Sequence, residues 1–284
     1  MKIKITADST CDLPPSLLQS MDITLVPLHI LVGDDAFRDG VDITPAEIFH
    51  YVDQEGKTCK TAAVNIWEYE QIFAQFAPQY EAVIHLSLGS AFSSSCQNAM
   101  AAAQNFPNVF VIDTQNLSSG SGQLVYEAAL AAQAGLSAEE IITGITAMVP
   151  LVNASFIIDR LDYLHKGGRC SGLEAFGANL LQIKPCIEVV NGKMTVGKKY
   201  RGKLEHCLLR YVKDRLDGRQ DLDYSRIFIT HTMCPAATVE KVRETIRACA
   251  PFAEIIESQA GCTVSSHCGP KTLGILYKQK PGTK

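Results

Sequence analysis

Four short segments of this 284-residue chain concentrate side chains able to bind or transform a ligand. The first, Asp8-Ser9-Thr10-Cys11-Asp12-Leu13-Pro14, directly follows an apolar run over 3–6. Open α/β sheets bind ligands in polar loops beyond the carboxyl ends of their strands. A cap on the next helix is the other use for such residues. The second, Ser90-Ala91-Phe92-Ser93-Ser94-Ser95, sets hydroxyls and free N–H groups between a strand and a helix. That suits a carboxylate or phosphate, and without a ligand it reads as a serine-rich cap. It has neither the Gly-x-x-x-x-Gly-Lys of a nucleotide loop nor a Gly-x-Ser-x-Gly elbow. The third, Leu161-Asp162-Tyr163-Leu164-His165-Lys166-Gly167-Gly168-Arg169, ends a helix at a glycine pair. Glycine supplies positive φ, and Lys166 complements the negative helix end. Arg169 lies past the break and is left over. The fourth, Ser265-Ser266-His267-Cys268-Gly269-Pro270, places an imidazole on a turn rather than on an apolar face, which favours a functional His267. Cys268 beside it suggests a thiol hydrolase, but adjacent side chains point apart and catalytic Cys–His pairs are normally distant in sequence.

The seven histidines stand apart, with no His-Glu-x-x-His, and the ten cysteines include no Cys-x-x-Cys. No metal or cofactor site is expected, and the scattered thiols read as reduced and cytoplasmic. The N-terminus lacks the apolar core of a secretory signal. Net charge is −4, with 20% charged residues. That balance argues against a nucleic-acid-binding surface and a polybasic membrane footing. From Ala82 to Tyr126 the only Asp, Glu, Lys or Arg is Asp113, yet eight serines occur there. Such a stretch is no membrane span; it reads as buried strand and helix joined by hydroxyl-rich loops.

Short apolar strands alternate with helix-length segments, the α/β pattern. Strands are expected over 3–6, 23–31, 83–88 and 109–112. Helices are expected over 45–55, capped by Thr44, and over 67–76, 93–106, 117–134 and 138–148. A strand follows that last helix, and from about residue 155 the texture changes as charge returns. Asn191-Gly192 between strands over 183–190 and 194–199 signals a hairpin. Helices over 203–216 and 238–248 surround a strand over 227–230, and a last strand covers 273–277. The expectation is two α/β lobes, 1–155 with a parallel sheet and 156–284 as a second lobe, enclosing a ligand between them.

In order, these segments resemble the DegV family of bacterial fatty-acid-binding proteins. The likeness rests on Asp8-Ser9-Thr10-Cys11-Asp12-Leu13-Pro14, Arg38-Asp39-Gly40-Val41-Asp42, Lys60-Thr61, Cys96-Gln97-Asn98-Ala99 and Val111-Ile112-Asp113-Thr114. It continues through Leu161 to Arg169, against the family's Leu-x-x-Leu-x-x-Gly-Gly-Arg, and His267-Cys268-Gly269-Pro270, against its His-x-Gly-Pro. The resemblance implies a carrier without catalytic residues that buries one long-chain fatty acid. Thr61, Ser93 and His267 would hold its carboxylate. A separate fatty-acid kinase would phosphorylate that carboxylate for phospholipid synthesis, approaching Arg169 and Arg201, with transient membrane contact on the way. A buried carboxylate needs donors, and an acyl tail gains about 0.8 kcal/mol per buried CH₂.

The chain departs from the family at three places. Thr61-Ala62-Ala63-Val64-Asn65 stands where Thr-Ser-x-Pro-Ser would follow the threonine, so Asn65 becomes a candidate replacement donor. Phe92-Ser93-Ser94-Ser95 stands for Leu-Ser-Gly-Thr, which adds Ser94 as a candidate, and Lys271 replaces a glycine. Two other readings stay open. One is a hydrolase or acyl- or phosphoryl-transfer enzyme with a Ser or Cys nucleophile, His267 as base and Asp8 or Asp113 as orienting acid. The other is an interaction protein in which lipid is structural.

Overall fold

A computed structural model describes residues 2–171 and 183–282. Among these residues the strands form three sheets. Ile3–Asp8 is buried on both faces, as a central parallel strand must be. It pairs in parallel with Thr24–Val26 on one side and Ala82–Ser87 on the other, and Val109–Asp113 completes that sheet. The sheet grows outward in opposite directions from Ile3–Asp8 and Ala82–Ser87, so a crevice opens at their carboxyl ends. Residues 9–14, 88–94 and 114–117 leave the sheet at that end, and two of the four polar segments lie among them.

The second sheet runs in the order Glu254–Gln259, Leu222–His231, Leu273–Gln279, Val152–Ile157, Ile183–Val190, Lys193–Arg201, Cys170–Ser171. Asn191 and Gly192 turn its hairpin with φ of 49° and 73°, the positive values that a tight two-residue turn requires. Helices Leu204–Leu216 and Ala236–Cys249 cover one face through Tyr211, Val212, Val242 and Ile246. Helix Ser118–Gln133 is wedged between the two large sheets. Leu124, Val125 and Ala128 pack with Ile5 and Leu86 of the parallel sheet and with Phe228 and Leu276 of the mixed one. A helix buried on both sides has no face for charge, which accounts for the charge-poor stretch. A Cβ on Gly122 would stand 2.5 Å from the Cys11 carbonyl, so the helix needs its small residues there. Asp113, the one charge, accepts from the Ser90 N–H and hydroxyl and from the Gln115 N–H, tying two loops at the sheet's end.

Two local expectations fail for identifiable reasons. Residues 23–31 are not one strand. Thr24–Val26 stays in the parallel sheet, while His29–Val32 joins a small antiparallel sheet with Asp35–Arg38 and Cys59–Ala62. Pro27 between them has no N–H to continue a ladder. His267 lies not on a turn but in helix Cys262–Cys268. Its N-cap, Gly261, makes no side-chain cap, so the local sequence carries no helix-start signal. Its first N–H groups are met by distant carboxylates. Asp39 accepts from Cys262 and Thr263, and Asp12 accepts from Gly261. The expected lobe boundary at 155 falls inside strand Val152–Ile157. Among the described residues no helix is long and apolar enough to cross a membrane.

Candidate functional site

The crevice at the end of the parallel sheet closes over an apolar cavity with about 570 Å³ of empty space, part of it open to solvent. Leu28, Leu88, Phe92, Leu117, Met194 and Val264 form most of its wall, and Thr10, Thr61, Ser93, Arg169, Thr263 and His267 add polar groups. Leu117, Val264 and Cys268 also line a second apolar space of about 330 Å³ that reaches Phe156 and Leu276. On the opposite side, Thr61, Arg169 and His267 also line an outer basin of about 1270 Å³ with Lys57, Lys60 and Lys166. A polar gate thus stands between a cationic vestibule and two successive apolar chambers.

The gate is assembled from distant elements. Thr61 lies in Cys59–Ala62, where it pairs opposite Ile30. Its Oγ1 is 2.8 Å from His267 Nε2. Gly167 lets helix Leu161–Gly167 approach the imidazole, since a Cβ there would overlap His267 Nδ1. Burial, reinforced by the Arg169 guanidinium, pushes His267 down to about 4, so the imidazole is neutral at pH 7. Arg169 donates from Nη1 to the Gly167 carbonyl at 2.8 Å, which holds it beside the gate. Ser93 Oγ accepts from the Ser95 N–H at 3.2 Å and lies 3.0 Å from Ser95 Oγ, ahead of helix Ser95–Ala103.

Asp8 anchors the floor beneath the Ser93 loop. Its carboxylate accepts from Tyr69 OH at 2.5 Å and from Ser87 Oγ and the Leu88 N–H, both at 2.7 Å. His85 Nε2 stands 3.3 Å away, off the hydrogen-bonding angle. Burial alone would raise Asp8. The His85 contact, with the Tyr69 and Ser87 hydroxyls, outweighs burial and holds the carboxyl below its ordinary value. Neither Asp8 nor Asp113 is a partner of His267. Among the described residues His267 Nδ1 has no hydrogen-bond partner.

Three of the sequence candidates stand outside this constellation. Asn65 is exposed and caps helix Ile66–Phe76, accepting from the Glu68 N–H while Glu68 reaches back to the Asn65 N–H. Its side chain is occupied there and does not line the cavity, so it does not replace the family's lost donor. The three-residue spacing to Glu68 was the signal for that cap. Ser94 is exposed at the start of helix Ser95–Ala103, and Arg201 is exposed at the end of Lys193–Arg201; neither lines the cavity or the basin. Lys271 adopts φ 61°, the left-handed region where the family's usual glycine is free of Cβ strain. Thr10 lies in the first polar segment but had no role assigned to it, and Thr263 lies outside all four segments, with no local feature to mark it.

Asp12, of the same first segment, gives the lobe contact a pH dependence. Burial first, and the nearby Asp39 charge, push it up to about 8 against the donors Ser118 and Gly261, so it is protonated at pH 7 in the folded state. Unfolded, it ionises near 3.8. A raised folded pKa stabilises fully below the unfolded value and loses that contribution as pH rises through the folded value. Asp12→Asn should therefore gain stability on the parent between pH 4 and 8 and flatten the slope. Asparagine also tolerates the φ of 49°. Urea midpoints measured across that range check it, and parallel slopes for variant and parent would refute it.

The family profile described as an uncharacterised protein of the DegV family matches residues 2–280. A DegV domain-containing protein of Clostridium acetobutylicum is 31% identical over 283 residues, covering 98% of this chain and 99% of its own. Among solved structures, a fatty-acid-binding DegV family protein from Thermus thermophilus is 28% identical with a TM-score of 0.88, covering 98% of this chain and 100% of that one. A stearic-acid-binding protein from Eubacterium ventriosum is 26% identical with a TM-score of 0.84, at 99% coverage of each chain.

Proposed function

The chain belongs to the DegV family, and from that premise we propose that it binds a long-chain fatty acid as a carrier with no chemistry of its own. The acyl tail occupies the two apolar chambers, and the carboxylate lies at the gate of Thr61, Ser93 and His267. One observation carries this reading: a polar gate bridged by the 2.8 Å Thr61–His267 contact stands at the mouth of an apolar cavity. Hydroxyls, a neutral imidazole and Arg169 supply donors for a carboxylate without burying an unpaired lysine. The solved relatives described above as binding fatty acid and stearic acid support it.

Presentation of the carboxylate to a fatty-acid kinase, acyl-phosphate formation and supply of phospholipid synthesis belong to the same proposal. So do a cytoplasmic setting, transient membrane contact and the division into lobes 1–155 and 156–284. Lys57, Lys60 and Lys166 around Arg169 favour an anionic phosphate donor on the vestibule side. Arg201 remains a candidate for kinase contact away from the basin. The hydrolase reading is weaker, because His267 Nδ1 lacks an orienting carboxylate among the described residues and its low pKa makes a poor base at neutral pH.

Denaturing the purified protein and identifying the released small molecule by mass tests the ligand. A long-chain fatty acid at near one equivalent is expected. No released fatty acid, together with no binding when the protein is titrated with stearic acid, would sink the proposal.

A further inference from the structure

Two hydroxyls of the inner cavity have no partner in the gate. Thr10 is 1% exposed and Thr263 is 6% exposed, and both line the apolar chamber. Among the described residues neither Oγ1 has a hydrogen-bond partner. A buried hydroxyl left unpaired costs free energy, so two in one apolar wall call for an oxygen to meet them. One carboxylate ties together the two segments that carry the threonines. Ser9 Oγ, next to Thr10, and the Thr263 N–H both donate to Asp39 Oδ2, at 2.9 and 3.3 Å. Thr263 is also set back from the gate. Thr263 precedes His267 by four residues in helix Cys262–Cys268, so both face the cavity about 6 Å apart along the helix axis at 1.5 Å rise per residue.

Resting on the fatty-acid reading, we propose that Thr10 and Thr263 form a second polar subsite that selects acyl chains bearing an oxygen, a hydroxyl or keto group, several carbons from the carboxylate. The hydroxyls can donate to or accept from such an oxygen, whereas a plain methylene at that depth leaves both unpaired. A site built to hydrogen-bond a ligand hydroxyl discriminates strongly against an analogue that lacks it, because its own polar groups are then stranded.

The test uses the delipidated full chain and compares stearic acid with monohydroxylated stearic acids whose hydroxyl moves stepwise along the chain. One proximal position should bind about tenfold more tightly than stearic acid, the gain from pairing two stranded hydroxyls. Thr10→Val and Thr263→Val should each shrink that preference, and the double variant should erase it. If stearic acid binds but no hydroxylated position exceeds it, the second subsite is wrong while the fatty-acid reading stands. If a preference exists but survives the double variant, the subsite lies elsewhere and this assignment is overturned. If no member of the series binds, both readings fall.

Discussion

Gly167→Ala should lower affinity for stearic acid by about tenfold or more while leaving the fold intact, the loss of one hydrogen bond to a charged group. Gly167 closes helix Leu161–Gly167 against the histidine helix. Its missing Cβ lies where it would overlap His267 Nδ1, with Cγ at 3.2 Å and Cε1 at 3.3 Å. The imidazole is the part able to yield, and in turning away it surrenders the 2.8 Å contact with Thr61. Gly168 provides the control. It adopts φ 64°, and a Cβ there would meet only open space, so its substitution strains backbone but pushes on nothing. Gly168→Ala should cost about 1 kcal/mol of stability and keep affinity near the parent's. Titration calorimetry with stearic acid and thermal melts separate the two. Parent-like affinity in Gly167→Ala would show that the imidazole's position does not govern binding.

Asp8→Ala should cost about 3–5 kcal/mol of folding free energy, the range for removing one partner from a buried charged network. Asp8 is 1% exposed and serves three donors at 2.5–2.7 Å. Its removal strands the Tyr69 hydroxyl, the Ser87 hydroxyl and the Leu88 N–H where water does not reach. Those donors belong to helix Ile66–Phe76 and to the end of strand Ala82–Ser87, so the Ser93 loop loosens as well. The pH dependence has the opposite sign to that of Asp12. A depressed folded pKa stabilises above the unfolded value of 3.8 and is lost as pH falls through the folded one. Parent and Asp8→Ala should therefore converge in strong acid and differ most near neutrality. Urea unfolding at several pH values measures it, and a deficit under about 1 kcal/mol at pH 7 would contradict the network's role.

Much of the scaffold was legible because it is written in short-range chemistry. Thr44 caps Pro45–Asp53 as expected, with Glu47 completing a capping box, and Asn191-Gly192 turns the hairpin its type demands. The alternation of apolar runs and helical periods located the parallel sheet, and the charge-poor stretch pointed to buried strand and helix, of which Ser118–Gln133 proves buried on both sides. The ordered motifs carried the family, which the match over residues 2–280 bears out.

What the local pattern left open is whatever depends on partners far along the chain. Asp8 and Asp12 had no neighbouring His or acid in sequence, yet folding brings them to His85 and Asp39. Asn65 looked like a spare donor until its cap occupied it. Helix Cys262–Cys268 was invisible because its capping carboxylates come from the opposite end of the chain. Thr61 and His267 lie 206 residues apart, and only the packing of the small sheet against that helix sets them 2.8 Å from each other. Periodicity and turn chemistry act over a few residues, so the sequence alone determined most of the elements and the family. The gate, the cavity behind it and the two stranded threonines exist only once sheet register and lobe packing have been chosen.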